Sequence, residues 1–372
     1  MGKKNKGKPD YLLLLSVLAL LGIGLVMIYS ASSVATLTDY NDPYYYLNRQ
    51  GLWAGLGLFA MAIMSRISYR QWNRWALPVM GVSIILLLCV LHPSIGRVVN
   101  GARRWIEIGG QRFQPSEFAK LALIIFTASG LSKNRHKLKN VITGRLSYVI
   151  LAGGICGLIL LQPDLGTAVA IGGTAFIMWF AAGFPILYLG GLVFLSVPVL
   201  RHTILMEEYR RNRLLSFLDP WADPLGDGYH IIQSLLALGS GGLFGVGLGN
   251  SRQKLFYLPE RHTDFIFSIL GEELGLLGAA GVILLFLLFA FRGYRIAVMA
   301  PNMFSSLLAV GITTMICLQA GVNIGVVSGS IPITGITLPF ISYGGSSLIP
   351  ALAGVGILLN ISQHTKAAEE NE

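Results

Sequence analysis

Residues 11–31 read YLLLLSVLALLGIGLVMIYSA, an apolar run without a single charge, directly after the basic stretch MGKKNKGKPD. A helix needs about 20 mainly apolar residues to cross the hydrocarbon core of a bilayer. The run is too long for a signal-peptide core and no small-residue cleavage site closes it, so it reads as an uncleaved first span. Working outward, further apolar runs fall at 50–65, 75–91, 117–131, 146–162, 166–182, 185–201, 264–291, 304–328 and 344–361. The near-continuous block 146–201 divides at Gln162-Pro163-Asp164-Leu165-Gly166 and at Gly183-Phe184-Pro185, where Pro and Gly interrupt a helix. Only 12% of the residues are charged, against roughly 25% in a soluble domain. The sequence therefore predicts an all-α integral membrane protein. It is a polytopic bundle of about ten transmembrane helices, with a long extracytoplasmic loop between spans 7 and 8.

The basic residues set the orientation. With the N-terminus inside, segments 1–10, 66–74, 132–146, 292–303 and 362–372 hold 15 of the 28 Lys and Arg against four acids, the asymmetry expected of cytoplasmic loops. The expected organisation is a cytoplasmic tail (1–10), one membrane domain (11–361, outer loop 202–263) and a second cytoplasmic tail (362–372). The net charge of +10 does not point to nucleic acid, because the bases sit in short clusters between apolar runs. Cys89, Cys156 and Cys317 lie inside apolar runs without C-x-x-C spacing, so they suggest neither a zinc site nor a disulfide framework. No H-E-x-x-H, G-x-S-x-G or P-loop pattern occurs. The stretch GSGGLFGVGLG (239–249) reads as close helix packing through small residues.

The outer segments 92–116 and 202–263 hold most of the ionisable and aromatic residues outside the spans, and loops of that length usually have a task. A third, 328–347, reads as a tightly folded outer loop, acceptable at membrane depth where it lines a cavity. Glu117 and Lys120 stand three apart on one helical face, either as a helix-end pair or as a charge pair bordering a polar cavity. Asp164, in the break between two spans, is either a cap or a carboxylate that needs a partner or water. Asp264 follows Pro259-Glu260-Arg261-His262-Thr263. It is either an N-cap or a general base at a membrane-level cleft. Arg103, Arg104, Arg112, Lys254 and Arg261 share its side, and arginine suits bidentate phosphate contacts, so an anionic, membrane-resident substrate fits.

Five long motifs carry a resemblance. They are NGARRWIEIGGQRFQPSEFAKLALI (100–124), LLQPDLGTA (160–168), LDPWADPLGDGYHIIQSLLALGSGGLFGVGLG (218–249), SRQKLFYLPERHTDFIFSILGEELGLLG (251–278) and NIGVVSGSIPITGITLPFISYGGSS (323–347). In this order they resemble the SEDS proteins (shape, elongation, division and sporulation), the FtsW and SpoVE branch more than the RodA branch. The resemblance implies a peptidoglycan glycosyltransferase of the bacterial cytoplasmic membrane that polymerises lipid II into a growing glycan strand and releases undecaprenyl diphosphate. It implies Asp264 as the base for the acceptor hydroxyl, and Glu117, Lys120, Asp164 and Gln233 as residues of the central cavity. Arg103, Arg104 and Lys254 are candidates for diphosphate contacts, by charge and loop position. Diphosphate departure invites a divalent cation, magnesium or manganese, for which the sequence shows no ligand set. Expected partners are a class B penicillin-binding protein with one membrane anchor and membrane lipids, with no nucleic acid. A lipid II flippase without glycosyl transfer needs the same amphiphile-sized cleft and anion-binding residues, but no single indispensable carboxylate.

Overall fold

The computed structural model describes residues 7–99, 101–133 and 145–369. The lysine-rich start (1–6), Asn100, most of the basic segment 132–146 including Lys137, and the acidic end 370–372 lie outside the described residues.

Among the described residues twelve α-helices run in the order α1 (Tyr11–Tyr40), α2 (Tyr45–Arg66), α3 (Tyr69–Leu91), α4 (Pro115–Lys133), α5 (Ser147–Leu160), α6 (Leu165–Ala181), α7 (Ile186–Leu205), α8 (Glu208–Leu218), α9 (Tyr229–Gly241), α10 (Ile266–Val298), α11 (Met303–Val327) and α12 (Gly345–Glu369). Every apolar run of the sequence falls on one of them. Among the described residues six helices, α1, α3, α7, α10, α11 and α12, are long and apolar enough to cross a membrane. The chain is a multi-pass membrane protein. The remaining four helices on apolar runs fall short for readable reasons. α5 and α6 are apolar but have only 14 and 17 residues. α4 carries Glu117, Lys120 and Lys133 within 19 residues, and α2 contains Arg49 near its start and Arg66 at its end.

The long helices bear apolar side chains on all sides, as a helix facing protein and lipid does. α12 lies most deeply, packed along α2, while α11 packs against α10, α6 and α4. α7 is peripheral. Leu187 is 87% and Phe194 81% exposed, and only Leu189 is buried on it. Local signals fix the ends. The Asp10 carboxylate accepts from the Leu13 amide at 3.1 Å and so caps α1. Asn41, left-handed at φ 55°, closes the same helix by donating its amide to Leu37 and Thr36 carbonyls. α12 continues past the expected boundary at 361 to Glu369.

The outer segments are more ordered than the sequence reading allows. An all-α class omits a three-stranded antiparallel sheet between α3 and α4: β1 (Gly96–Val99), β2 (Ala102–Ile108) and β3 (Gln111–Phe113), in that spatial order. Ile108 pairs with Gln111 across Gly109-Gly110, both at positive φ, as a two-residue hairpin turn requires. The stretch expected as a loop at 202–263 contains the end of α7, then α8, a 3₁₀ turn at Pro220–Ala222 and α9.

The glycine-rich stretch solves a backbone problem. α10 is interrupted at Gly275, whose φ of 67° and ψ of −168° are non-helical and open to glycine alone. A break inside an apolar span leaves amides and carbonyls without partners. Here Val246 and Gly247 donate to the Glu272 and Glu273 carbonyls at 3.0 and 3.1 Å, and the Leu276 amide donates to Gly242 at 2.9 Å. The approach excludes side chains, since a Cβ on Gly245 would stand 2.1 Å from the Glu273 carbonyl oxygen. Close packing through small residues is what the structure contains, backbone against backbone.

Candidate active site

Asp264 stands two residues ahead of α10, at the end of the segment 250–264. That segment is fastened at both ends. At its start, the buried Glu272 carboxylate accepts from the Arg252 and Gln253 amides at 2.9 and 3.3 Å and from the Ser251 hydroxyl. The Lys254 ammonium donates to Glu273 at 3.0 Å and to the Ser30 hydroxyl of α1 at 3.2 Å. At its end, the Asn323 amide of α11 donates to the carbonyls of Asp264 and Ile336 at 2.7 and 2.8 Å. The Ser342 hydroxyl donates to the Thr263 carbonyl at 2.6 Å, and the Tyr343 amide to His262 at 2.9 Å. One asparagine thus ties the start of α10 to the folded loop 328–344.

The backbone of Asp264 is fixed, yet among the described residues no hydrogen-bond donor reaches its carboxylate. The N-cap position of α10 is Phe265 and carries no side-chain cap bond, so the capping role is not realised. Gly335, at φ 74°, brings the folded loop against the acid: a Cβ there would lie 3.6 Å from Asp264 Oδ2. Desolvation in this recess, and next the Glu260 carboxylate, push Asp264 up to about 7; Asp164 also raises it, while Arg213 and Arg104 pull down. The groups that reach it electrostatically come from α8, β2, the α6 cap and the 250–264 segment. Glu260 itself sits at a left-handed φ of 48°, with Thr263 Oγ1 donating to its carboxylate at 2.8 Å. His230 of α9 stacks on Phe265 at 5.7 Å. Burial and then Arg213 lower its pKa, and its Nδ1 is buried without a partner.

β2 is bulged at Arg104, which the β1 register skips between Arg103 (opposite Val98) and Trp105 (opposite Arg97), and its two neighbouring arginines go separate ways. Arg104 turns to the break before α6, donating to the Gln162 carbonyl at 3.0 Å and to that of Pro163, with Asp164 at 3.9 Å. Arg103 turns back to the end of α3 and donates to the Leu91 carbonyl at 3.2 Å. Asp164 combines both roles considered for it. It caps α6 by accepting from the Thr167 amide at 3.0 Å, and it is paired by Arg104 and by Gln114 Nε2 at 3.2 Å.

The other expected residues fall into separate places. Glu117 and Lys120 form a buried ion pair at 2.8 Å on α4. Lys120 lines a small cavity with Ile171, Met178 and Met315, between α4, α6 and α11. Gln233 is half-buried on α9, one turn beyond His230. Lys254 is only 4% exposed and neutralised by Glu273, and Arg103 is bound to a helix end. Of the cations expected to meet a diphosphate, Arg104 is the one the fold brings to Asp264. Arg213 joins it from α8, half-buried over the Tyr209 ring at 5.2 Å and donating to the Ile333 carbonyl at 3.4 Å. Sequence reasoning missed Arg213, Glu260 and Asn323. Glu260 was legible in the run before Asp264, whereas Arg213 is one arginine among several in EYRRNRLLSFL. For the divalent cation, the donor set does not fit: among the described residues no three His, Cys, Asp or Glu side chains converge as ligands.

The chain as a whole has counterparts among known proteins. A probable peptidoglycan glycosyltransferase FtsW of Geobacter metallireducens is 48% identical over 363 residues, 98% of this chain and 97% of that protein. Stage V sporulation protein E of Bacillus subtilis is 48% identical over 365 residues, covering 97% and 99% of the two chains. Among solved structures, a chain of a peptidoglycan synthase complex that coordinates polymerization and crosslinking superposes with a TM-score of 0.77 at 35% identity, over 95% of this chain and 97% of that one. The rod shape determining protein RodA of Thermus thermophilus superposes with a TM-score of 0.70 at 33% identity, over 95% and 96%. Residues 11–367 match the family FTSW_RODA_SPOVE, described as "Cell cycle protein". With that match over residues 11–367 and 48% identity to two relatives over nearly their full length, this chain belongs to the FtsW/RodA/SpoVE family, the SEDS proteins.

Proposed function

We propose that the chain is a peptidoglycan glycosyltransferase that polymerises lipid II at the outer face of the cytoplasmic membrane, with Asp264 as its general base. The observation that carries this reading is a carboxylate free of hydrogen bonds, set on a rigid backbone and raised to about 7, with Arg104 and Arg213 in electrostatic reach. A general base works best with a pKa near the operating pH, and desolvation supplies that shift here. In the reaction, Asp264 takes the proton of the acceptor sugar's 4-hydroxyl as its oxygen bonds to the donor's anomeric carbon. The anomeric carbon–oxygen bond to the diphosphate breaks, and the leaving group keeps the electron pair. Arg104 and Arg213 are placed to meet that developing charge, in the manner of guanidinium clamps on phosphoryl groups.

Purified protein in vesicles given labelled lipid II, with products resolved by length, tests the reading. Long glycan supports it; transfer of lipid II between leaflets without any glycan would establish the flippase instead. The reading includes ten spans with both termini cytoplasmic, supported by the ten helices that fall on apolar runs and by the distribution of Lys and Arg. Exposed positions on the two sides discriminate: in intact cells a cysteine at Asp227 is expected to react with an impermeant thiol reagent and one at Arg70 is not. Labelling at Arg70 alone would invert the topology. A single-anchor class B penicillin-binding protein is the proposed partner, and the likeness to a subunit of a synthase complex supports it.

A further inference from the structure

The turn between α1 and α2 reads TDYNDPYYYLNRQ (38–50), a concentration of tyrosine that the polymerase chemistry leaves unused. The rings are assembled, not scattered. Tyr40 lies on Tyr45 with centroids 4.1 Å apart and planes 6° from parallel. Tyr29 and Tyr44 stack at 5.3 Å. Tyr45 meets Tyr46 edge-on at 5.2 Å, and the Arg49 guanidinium covers Tyr45 at 4.5 Å. The outer members stay open to solvent: Tyr40 is 51% and Tyr44 49% exposed.

An aromatic belt at the membrane surface is the ordinary reason for such rings. Height argues against it. α1 has 30 residues, about 45 Å at 1.5 Å per residue, whereas the hydrocarbon core is about 30 Å thick. The uncharged run ends near Ala31, so Tyr40 stands about 13 Å beyond it along the helix, while Tyr44 folds back to stack on Tyr29 at the end of that run. These rings also stack on one another among Asp39, Asn41, Asp42, Asn48 and Arg49.

Tyr45 is sandwiched between Tyr40 and Arg49, so the open ring faces are the outer ones of Tyr40 and Tyr44, and these, rimmed by carboxylates, amides and a guanidinium, match one ligand chemistry well. The axial C–H face of a β-linked hexosamine packs on an aromatic ring, while its hydroxyl and acetamido groups at the rim take hydrogen bonds. The cluster is also continuous with the candidate active site. Tyr46 stacks on His262 at 4.3 Å and meets Tyr343 at 4.7 Å. His262 lies two residues before Asp264, its carbonyl holds the Tyr343 amide, and burial keeps its ring neutral, with a pKa pushed down to about 4.

We infer that the tyrosine cluster at the α1–α2 tip is a carbohydrate platform that holds a β-1,4-linked N-acetylhexosamine strand beside the Asp264 segment. It rests on the polymerase reading for its biological ligand, though not for its chemistry. The full chain in nanodiscs is titrated with N-acetylated chitotetraose, and lipid II polymerisation products are sized in parallel. Wild-type protein is expected to bind the tetrasaccharide, with magnetisation passing from tyrosine ring protons to the sugar. Tyr40→Ala/Tyr45→Ala is expected to weaken binding at least tenfold and shorten the glycan, while Tyr40→Phe/Tyr45→Phe, which keeps the ring faces, binds within about twofold of wild type.

Wild-type protein that shows no transfer from tyrosine to the sugar overturns the platform even if the alanine variant fails to fold. So does an alanine variant with wild-type affinity and glycan length. Loss of a co-purified transpeptidase with sugar affinity intact would make the tip a protein-docking surface and also overturn it. Protein that binds the tetrasaccharide but makes no glycan from lipid II would instead remove the polymerase reading and leave the platform standing.

Discussion

Asp264→Asn is expected to lower glycan synthesis by roughly 10²–10⁴-fold, the range for loss of a positioned acid or base, in a protein that still folds and still binds lipid II. Asparagine keeps the volume and removes the proton acceptor. The substitution costs no structural bond, because no donor reaches the carboxylate and α10 begins at Phe265 without a side-chain cap. The backbone contacts that place residue 264, from Asn323 to its carbonyl and from Ser342 to its neighbour, are the same in either residue. A desolvated carboxylate opposes folding whenever it is charged, so the variant is expected to unfold no earlier than wild type. Glycan made at a near-normal rate by the folded variant would return Asp264 to a bystander.

The second large effect lies in stability. Lys254 and Glu273 are an ion pair with side chains 5% and 0% exposed. Breaking such a pair from one side strands a buried charge and costs about 3–5 kcal/mol, whereas neutralising both partners is close to neutral. Lys254→Met is therefore expected to destabilise the protein strongly in thermal unfolding. Lys254→Met/Glu273→Gln is expected to recover most of the loss, since glutamine can retain the contact to Ser30, which donates to Glu273 at 2.7 Å. Equal unfolding temperatures for Lys254→Met and wild type would mean that the pair holds nothing. The pair anchors the start of the segment that ends in Asp264.

Much of the fold was legible because hydrocarbon leaves the chain few choices. An uncharged run such as 11–31 can only be helical there, and each apolar run proved to lie on a helix. The outer segments were less legible because water satisfies an open loop as well as a folded one. The sheet nevertheless left a sign in Gly109-Gly110 between Ile106 and Phe113, a hairpin turn flanked by strand formers. α8 and α9 are short and one of them is polar, so length and periodicity did not separate them from loop.

The site divides along a similar line. Asp264, Asp164 and Arg104 stood out as charges beside spans, and the fold gathers them. Arg103 and Arg104 look equivalent in sequence, yet at the bulge of β2 Arg104 goes to the α6 break and Arg103 to the end of α3. Lys254 looked like a free loop cation because its partner lies 19 residues away, at a helix break that Gly275 makes. Asn323 gave no signal, being one polar residue in an apolar run. Its role depends on two carbonyls from distant segments.

Whether Asp264 works as a base in a desolvated recess is read from the pH dependence of the first coupling of lipid II. A base must be ionised to act, and Asp264 is pushed up to about 7 by burial and by Glu260. The rate at low substrate is therefore predicted to rise about tenfold per pH unit below that value and to level off above it. The residual rate of Asp264→Asn should lack this limb. A wild-type rate that stays flat from about pH 5 to 8, or a limb that survives in Asp264→Asn, would contradict the assignment of Asp264 as the base.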